Sequence, residues 1–196
     1  GLGDVYKRQP GFPADRFGFT LADRMHYGSA GLDYVTNLAG PRYLSSLTHQ
    51  GAPLFTEVEV DHMTDVKTVL WIATAALVVL VVVCALLIAS LLRTSPGGVR
   101  RALFAGAVWL PLAVIALAVL AVLGWETFFA GFHSLFFADG TWTFSVRDAL
   151  IRLYPEQFWV DAAVVVGLVT LLASLVTLVL TWPTRRRREL SADRRE

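Results

Sequence analysis

The chain has 196 residues, 55% of them hydrophobic, a formal net charge of +1 and one cysteine, with a mean hydropathy of +0.56. That hydropathy is too high for an ordinary soluble domain. The near-neutral balance gives no indication of an acidic or basic partner, and a lone Cys84 excludes intrachain disulfides and cysteine-built zinc sites. In the middle of an apolar run, Cys84 reads as a small packing residue.

The opening Gly1-Leu2-Gly3-Asp4-Val5-Tyr6-Lys7-Arg8-Gln9 resembles translated sequencing adaptor, so residues 1–9 are read as foreign. A first membrane helix, running outward from the cytoplasm, is then expected ahead of residue 10, giving four spans in the intact protein. Residues 10–67 follow as a cap segment. In it Thr20-Leu21-Ala22-Asp23 fits a capping box, predicting a short helix to about Tyr27. Gly28, Gly31, Gly40-Pro41 and Gly51-Ala52-Pro53 predict breaks after it.

Three charge-free runs follow, at 68–92, 102–124 and 162–182, the last extended to a span of 159–182 by its flanking tryptophans. Each supplies the roughly 20 residues that cross a hydrocarbon layer about 30 Å thick. A chain this short has no protein to bury three such helices, so they are read as membrane spans. Pro111 predicts a kink in the second. The loop 93–101 carries Arg93, Arg100 and Arg101 without an acid, and the tail 183–196 opens on Arg185–Arg188. Residues 10–67 and 125–158 lean acidic. The rule that positive loops stay inside puts the loop and tail in the cytoplasm and both acidic segments outside it. The arginine tail is read as a topology anchor against anionic lipid, not as a nucleic-acid patch. The segment 125–158 contains a second capping-box match, Ser145-Val146-Arg147-Asp148, opening a helix that stops before Pro155 and buries Ala149, Leu150, Leu153 and Tyr154. The fold class is all-α: a bundle of membrane helices with a small extracytoplasmic cap of amphipathic pieces lying on the bilayer.

Two histidines border the spans on the same side. His62 precedes the first run, in Glu59-Val60-Asp61-His62-Met63-Thr64-Asp65. Helical spacing puts His62, Asp65 and Glu59 on one face, where a carboxylate can hold one ring nitrogen and raise the basicity of the other. The same residues also fit an acidic helix start that merely favours the dipole. His133 lies in Phe128-Phe129-Ala130-Gly131-Phe132-His133-Ser134-Leu135-Phe136-Phe137. Phe129, Phe132, Phe136 and Phe137, with Trp142, read either as an interfacial aromatic belt or as the wall of a substrate cavity. A belt accounts for the aromatic rings but not for an imidazole set among them. His26 and His49 read as surface residues. Tyr43, Arg42 and Arg147 are candidate oxyanion donors. No nucleophile elbow, P-loop, Rossmann glycine pattern or HExxH occurs.

The order of these pieces resembles the DUF1461 integral membrane proteins, to which the bacterial lipoprotein intramolecular transacylases belong. An acidic-His62-x-x-Asp65-Val-Lys segment leads into a membrane helix, a short basic loop and another helix. A Phe-His133-x-x-Phe-Phe segment, Trp142, a short helix ending at Pro155 and a last span complete it. The similarity runs over about residues 16–185, and the absent first helix is its main departure. The resemblance implies catalysis by His62 and His133 at the bilayer surface, without a cofactor. The substrate would be a lipoprotein bearing a diacylglyceryl-modified N-terminal cysteine, whose sn-2 acyl chain moves to its own α-amino group. Two other readings remain: a metal-dependent membrane hydrolase with His62, Asp65 and His133 as ligands, and a non-enzymatic membrane partner.

Overall fold

The computed structural model describes residues 14–138 and 140–184; the proposed foreign segment 1–9 and the Arg185–Arg188 run lie outside these. Seven helices make up the described chain: α1 (Leu21–Thr36), α2 (Arg42–Ser45), α3 (Glu57–Thr94), α4 (Gly98–Leu123), α5 (Trp125–Phe136), α6 (Ala149–Leu153) and α7 (Glu156–Thr181). The only strands among the described residues, β1 (Thr48–His49) and β2 (Ala52–Pro53), form a minimal antiparallel hairpin. Its turn needs left-handed backbone at Gln50 and Gly51. The expected all-α architecture is therefore present, and α3, α4 and α7 are long and apolar enough to cross a membrane.

The chain divides into two compact units. One holds the residues up to Thr74 together with Ala130–Ala162; the other holds Ala75–Phe129 and the chain from Ala163. The second unit is made of the apolar helices. Their outward side chains are exposed, Leu86 at 66% and Val179 at 66% for example, a surface that only a lipid environment would cover. Cys84 is exposed on α3 and does not pack against protein as its small apolar character suggested. α3 and α4 both extend into the anticipated loop, leaving only the tight turn Ser95-Pro96-Gly97. Gly97 there takes φ 70°, and Arg101 closes the turn on the Pro96 carbonyl at 3.0 Å and the Ser95 hydroxyl at 2.8 Å. α4 runs through Pro111 without a break in its assignment.

The first unit, the head, has a core of its own, which goes beyond the flat amphipathic pieces expected. Phe19, Tyr34, Val35, Leu44, Leu54, Phe55, Val60, Met63, Leu150, Leu153 and Tyr154 bury one another. The Thr20–Asp23 capping box starts α1 as anticipated. The helix then continues to Thr36 and does not stop near Tyr27. Gly28 and Gly31 are contact points, not breaks. The Tyr154 hydroxyl donates to the Gly28 carbonyl at 2.6 Å, and a Cβ on Gly31 would overlap that same hydroxyl. Burial, reinforced by the nearby Asp33 charge, drives the Tyr154 phenol far above its ordinary range.

α3 starts eleven residues before the first apolar run because Thr56 and Glu59 form a capping box. Glu59 accepts from the Thr56 amide (2.8 Å) and hydroxyl (3.0 Å), while the Glu59 amide donates back to the Thr56 hydroxyl at 3.3 Å. Its other carboxylate oxygen accepts from the Leu150 amide at 2.8 Å. One buried acid thus caps two helices, and it satisfies an amide that a five-residue helix leaves without an internal partner. The start of α6 differs from the sequence reading. Asp148, not Ser145, is its N-cap, and the Asp148 carboxylate accepts from the Ser145 amide at 2.7 Å. The buried face is as expected, with Ala149, Leu150, Leu153 and Tyr154 all in the core. At the far end of α6, Arg152 grips Asp15 with two bonds of 3.0 and 2.9 Å and lies 3.4 Å over the Phe19 ring. That guanidinium holds the Asp15 carboxyl down at about 2.

Two substitutions test this frame. Gly31→Ala should destabilise the head by about 1–3 kcal/mol through overpacking. Tyr154→Phe in the same chain should recover part of that loss, because the overlapping oxygen is gone; thermal unfolding in detergent reads both. Glu59→Gln must turn an amide N–H toward one of two backbone donors. A loss of about 1–3 kcal/mol is expected, while Asp65→Asn should cost far less.

Candidate active site

His62 and His133 meet in the head. Capping by Thr56 and Glu59 holds the outer turns of α3 helical, and this orients His62 inward between Val60 and Met63. His133 comes from the last turn of α5. The two imidazoles stack with centroids 6.4 Å apart and planes 20° from parallel. Around His62 stand Phe137 at 5.0 Å and Phe144 at 5.2 Å. Around His133 stand Trp142 at 5.0 Å, Phe132 at 5.6 Å and Phe137 at 5.7 Å. Four aromatic rings thus frame the pair, in tilted and edge-on geometries that suit ring quadrupoles.

His62 is 8% exposed, and its Nδ1 is buried without a hydrogen-bond partner. Leaving such a group unsatisfied costs about 1–3 kcal/mol, a cost that a bound polar group would relieve. Burial pushes the His62 imidazole below its ordinary range, and the neighbouring His133 adds to this; the Asp65 charge opposes both. The ring is therefore biased toward its neutral form.

Several sequence-predicted residues are placed differently. Asp65 is exposed and makes no hydrogen bond to His62; it acts on the ring through its charge alone, because the packing of the head covers His62 and leaves Asp65, a turn further on, outside. Glu59 is spent on capping and does not orient the imidazole. The aromatic stripe divides. Phe137 and Trp142 lie against the histidines; Phe132 meets His133 edge-on but is 51% exposed, and Phe136, 45% exposed, touches neither ring. Phe129 falls in the other unit, against Trp125. Tyr43 stacks on Tyr34 beside α1, Arg42 opens α2, and Arg147 is exposed near Phe17. None of these three makes a ring contact or hydrogen bond to either histidine. His49 is more structural than expected: it lies 3.4 Å from the Tyr27 hydroxyl and edge-on to Phe19. His26 lines an open groove on α1 with Met25, Asp33 and Tyr43. Among the described residues, no three His, Cys, Asp or Glu side chains converge to hold a metal ion, so His62, Asp65 and His133 do not form a ligand set.

Two residues that matter here were not singled out as site residues from sequence. Phe144, which faces His62, carries no local signal in the sequence that distinguishes it from the other aromatic residues of its loop. Glu59 had a readable signal, the Thr56-x-x-Glu59 pattern ahead of an apolar run.

The apolar helices and the polar, histidine-bearing head describe a helical membrane protein. Residues 14–159, which include both histidines, match the model of the family described as lipoprotein intramolecular transacylase Lit. The chain belongs to the lipoprotein intramolecular transacylase family. It is also similar to an uncharacterized protein of Aquifex aeolicus (strain VF5), 30% identical over 170 residues, covering 85% of this chain and 75% of that protein. No solved structure matches it.

The charge environment of His62 is directly measurable by ring-nitrogen NMR titration. His133→Ala should raise the His62 pKa, since it removes a positive neighbour and admits water. Asp65→Asn should lower it, since the opposing carboxylate is lost. An unmoved His62 titration in both variants would disprove the assigned contacts.

Proposed function

We propose that this protein is an integral membrane acyltransferase that moves the sn-2 acyl chain of a diacylglyceryl-cysteine lipoprotein to the cysteine's own α-amino group. The product is an N-acyl, S-monoacylglyceryl lipoprotein. The reading rests on family membership together with one observation: two stacked imidazoles, one of them buried with an unsatisfied nitrogen, inside an aromatic enclosure.

The chemistry follows from those groups. The neutral α-amine attacks the ester carbonyl, forming the C–N bond. His62, kept neutral by burial, takes the amine proton; the C–O bond breaks, and the glycerol oxygen leaves with a proton from His133. Base and acid finish in exchanged protonation states, and proton transfer between the adjacent rings or through solvent resets them. Donor and acceptor belong to one molecule, so no acyl-enzyme is needed. The main task of the protein is to hold a cyclic attack geometry, where effective molarity contributes most. Phe137, Trp142 and Phe144 supply rigid walls and keep out the water that would hydrolyse the ester.

The depth of the site supports this reading. His62 precedes Thr68 by six residues, about 9 Å along a helix. That is the depth of lipid headgroups, where glycerol esters lie, and not of acyl tails. By the positive-inside rule, Arg93, Arg100 and Arg101 assign the α3–α4 turn to the cytoplasm and the head to the outer face of the cytoplasmic membrane.

Mass spectrometry of a lipoprotein N-terminus, with and without the protein, tests the class: the lyso form should appear only with it, and should persist in EDTA. His62→Ala and His133→Ala should each lower transfer by about 10²–10⁴. The double variant should be little worse than either alone, as for residues acting as one unit. Asp65→Asn should keep substantial activity. A loss below about a hundredfold for either histidine places it outside the chemical step.

A further inference from the structure

The helix that carries His133 has three distinct sides. At 100° per residue, His133 shares a side with Glu126, Ala130 and the following Phe137. Thr127, Gly131 and Ser134 form a small, polar side. Trp125, Phe128, Phe129, Phe132, Leu135 and Phe136 form the third. No residue of α5 is buried, and on the head's part of this third side Phe132 is 51%, Leu135 75% and Phe136 45% exposed. So large an apolar face is not left to water without a reason.

A second exposed apolar residue of the head is fixed at a known height. Leu38 is 87% exposed. Its neighbours are held by the root of the first apolar run: the Lys67 ammonium donates to the Ala39 carbonyl at 2.6 Å and to the Asn37 side chain at 3.4 Å, and the Trp71 indole donates to the Val35 carbonyl at 3.2 Å. Lys67 and Trp71 bracket Thr68, where the charge-free run begins, and are residue types that settle at a bilayer interface. Leu38 therefore stands level with the start of the charge-free run. α5 is joined in sequence directly to an apolar helix, since Gly124 alone separates it from α4.

We propose that Phe132, Leu135 and Phe136, with Leu38, are the surface by which the head seats in the bilayer, immersed at the headgroup–acyl boundary against lipid chains. α5 then lies in the interface as an amphipathic helix of the kind that buries its apolar side about 5–10 Å deep. The immersed side holds the helix at constant depth, and the adjoining side presents His133 at that depth. The proposal does not depend on which reaction the histidines perform.

Spin labels in lipid nanodiscs test it without an activity assay. In a Cys84→Ser background, Leu38→Cys, Phe132→Cys, Leu135→Cys and Phe136→Cys are labelled one at a time. Ser134→Cys serves as the water-side reference and Val81→Cys, within the apolar run, as the lipid reference. The four labels should collide with oxygen several-fold more, relative to a water-soluble nickel chelate, than the label at 134, approaching the label at 81. Chelate access equal to that at 134 overturns the proposal in favour of a solvent-facing surface. Shielding from both reagents overturns it in favour of a protein contact, such as a second copy of the chain. Neither result bears on the transacylase reading, which the lipoprotein mass measurement decides separately.

Discussion

The head depends on one buried carboxylate. Glu59 is 1% exposed, and it bonds both the start of its own helix and the start of a helix ninety-one residues away in sequence. A buried acid without partners would cost far more than it contributes. With three donors converging on it, Glu59 becomes a joint whose geometry leaves little freedom. α3 is fixed at its outer end, so His62 is oriented. α6 is fixed against α3, and through it Trp142 and Phe144, the residues just before α6, are brought back toward His62.

The remaining contacts of the head reinforce that joint. Arg152 and Asp15 hold the far end of α6. Tyr154 reaches across to α1 at the one stretch where two glycines admit a phenol against the helix backbone. Lys67, Trp71 and the Tyr34–Thr64 bond of 2.9 Å fasten the end of α1 to α3 at the start of the apolar run. These are polar bonds to backbone or between side chains, in a head too small to rest on apolar burial alone. They hold together the enclosure in which the His62 Nδ1 is buried without a partner.

This division of labour explains why the site sits on the outer turns of a membrane helix. A 38-residue helix is about 57 Å long, far more than the roughly 30 Å of hydrocarbon it must cross. The excess carries His62 beyond the charge-free run that begins at Thr68. The apolar part of the same helix needs only to be hydrophobic, and its residues make few specific contacts.

By itself, the sequence determined what depends on composition and local spacing. The three apolar runs, the Thr20 cap, the buried face of α6 and the meeting of His62 with His133 were all legible. Each follows from hydrophobic length or from neighbours along the chain. Tertiary structure alone decided what depends on contacts between distant segments. It carried α1 through Gly28 and Gly31, because Tyr154 packs there. It moved the start of α6 to Ala149, because Glu59 supplies the missing acceptor. It turned Asp65 away from the imidazole and divided the aromatic stripe, with Phe137 enclosed against both histidines, Phe132 touching His133 from an exposed position and Phe136 facing outward. Helical spacing states which residues share a side of a helix; only the partner packed against that helix decides which side is buried.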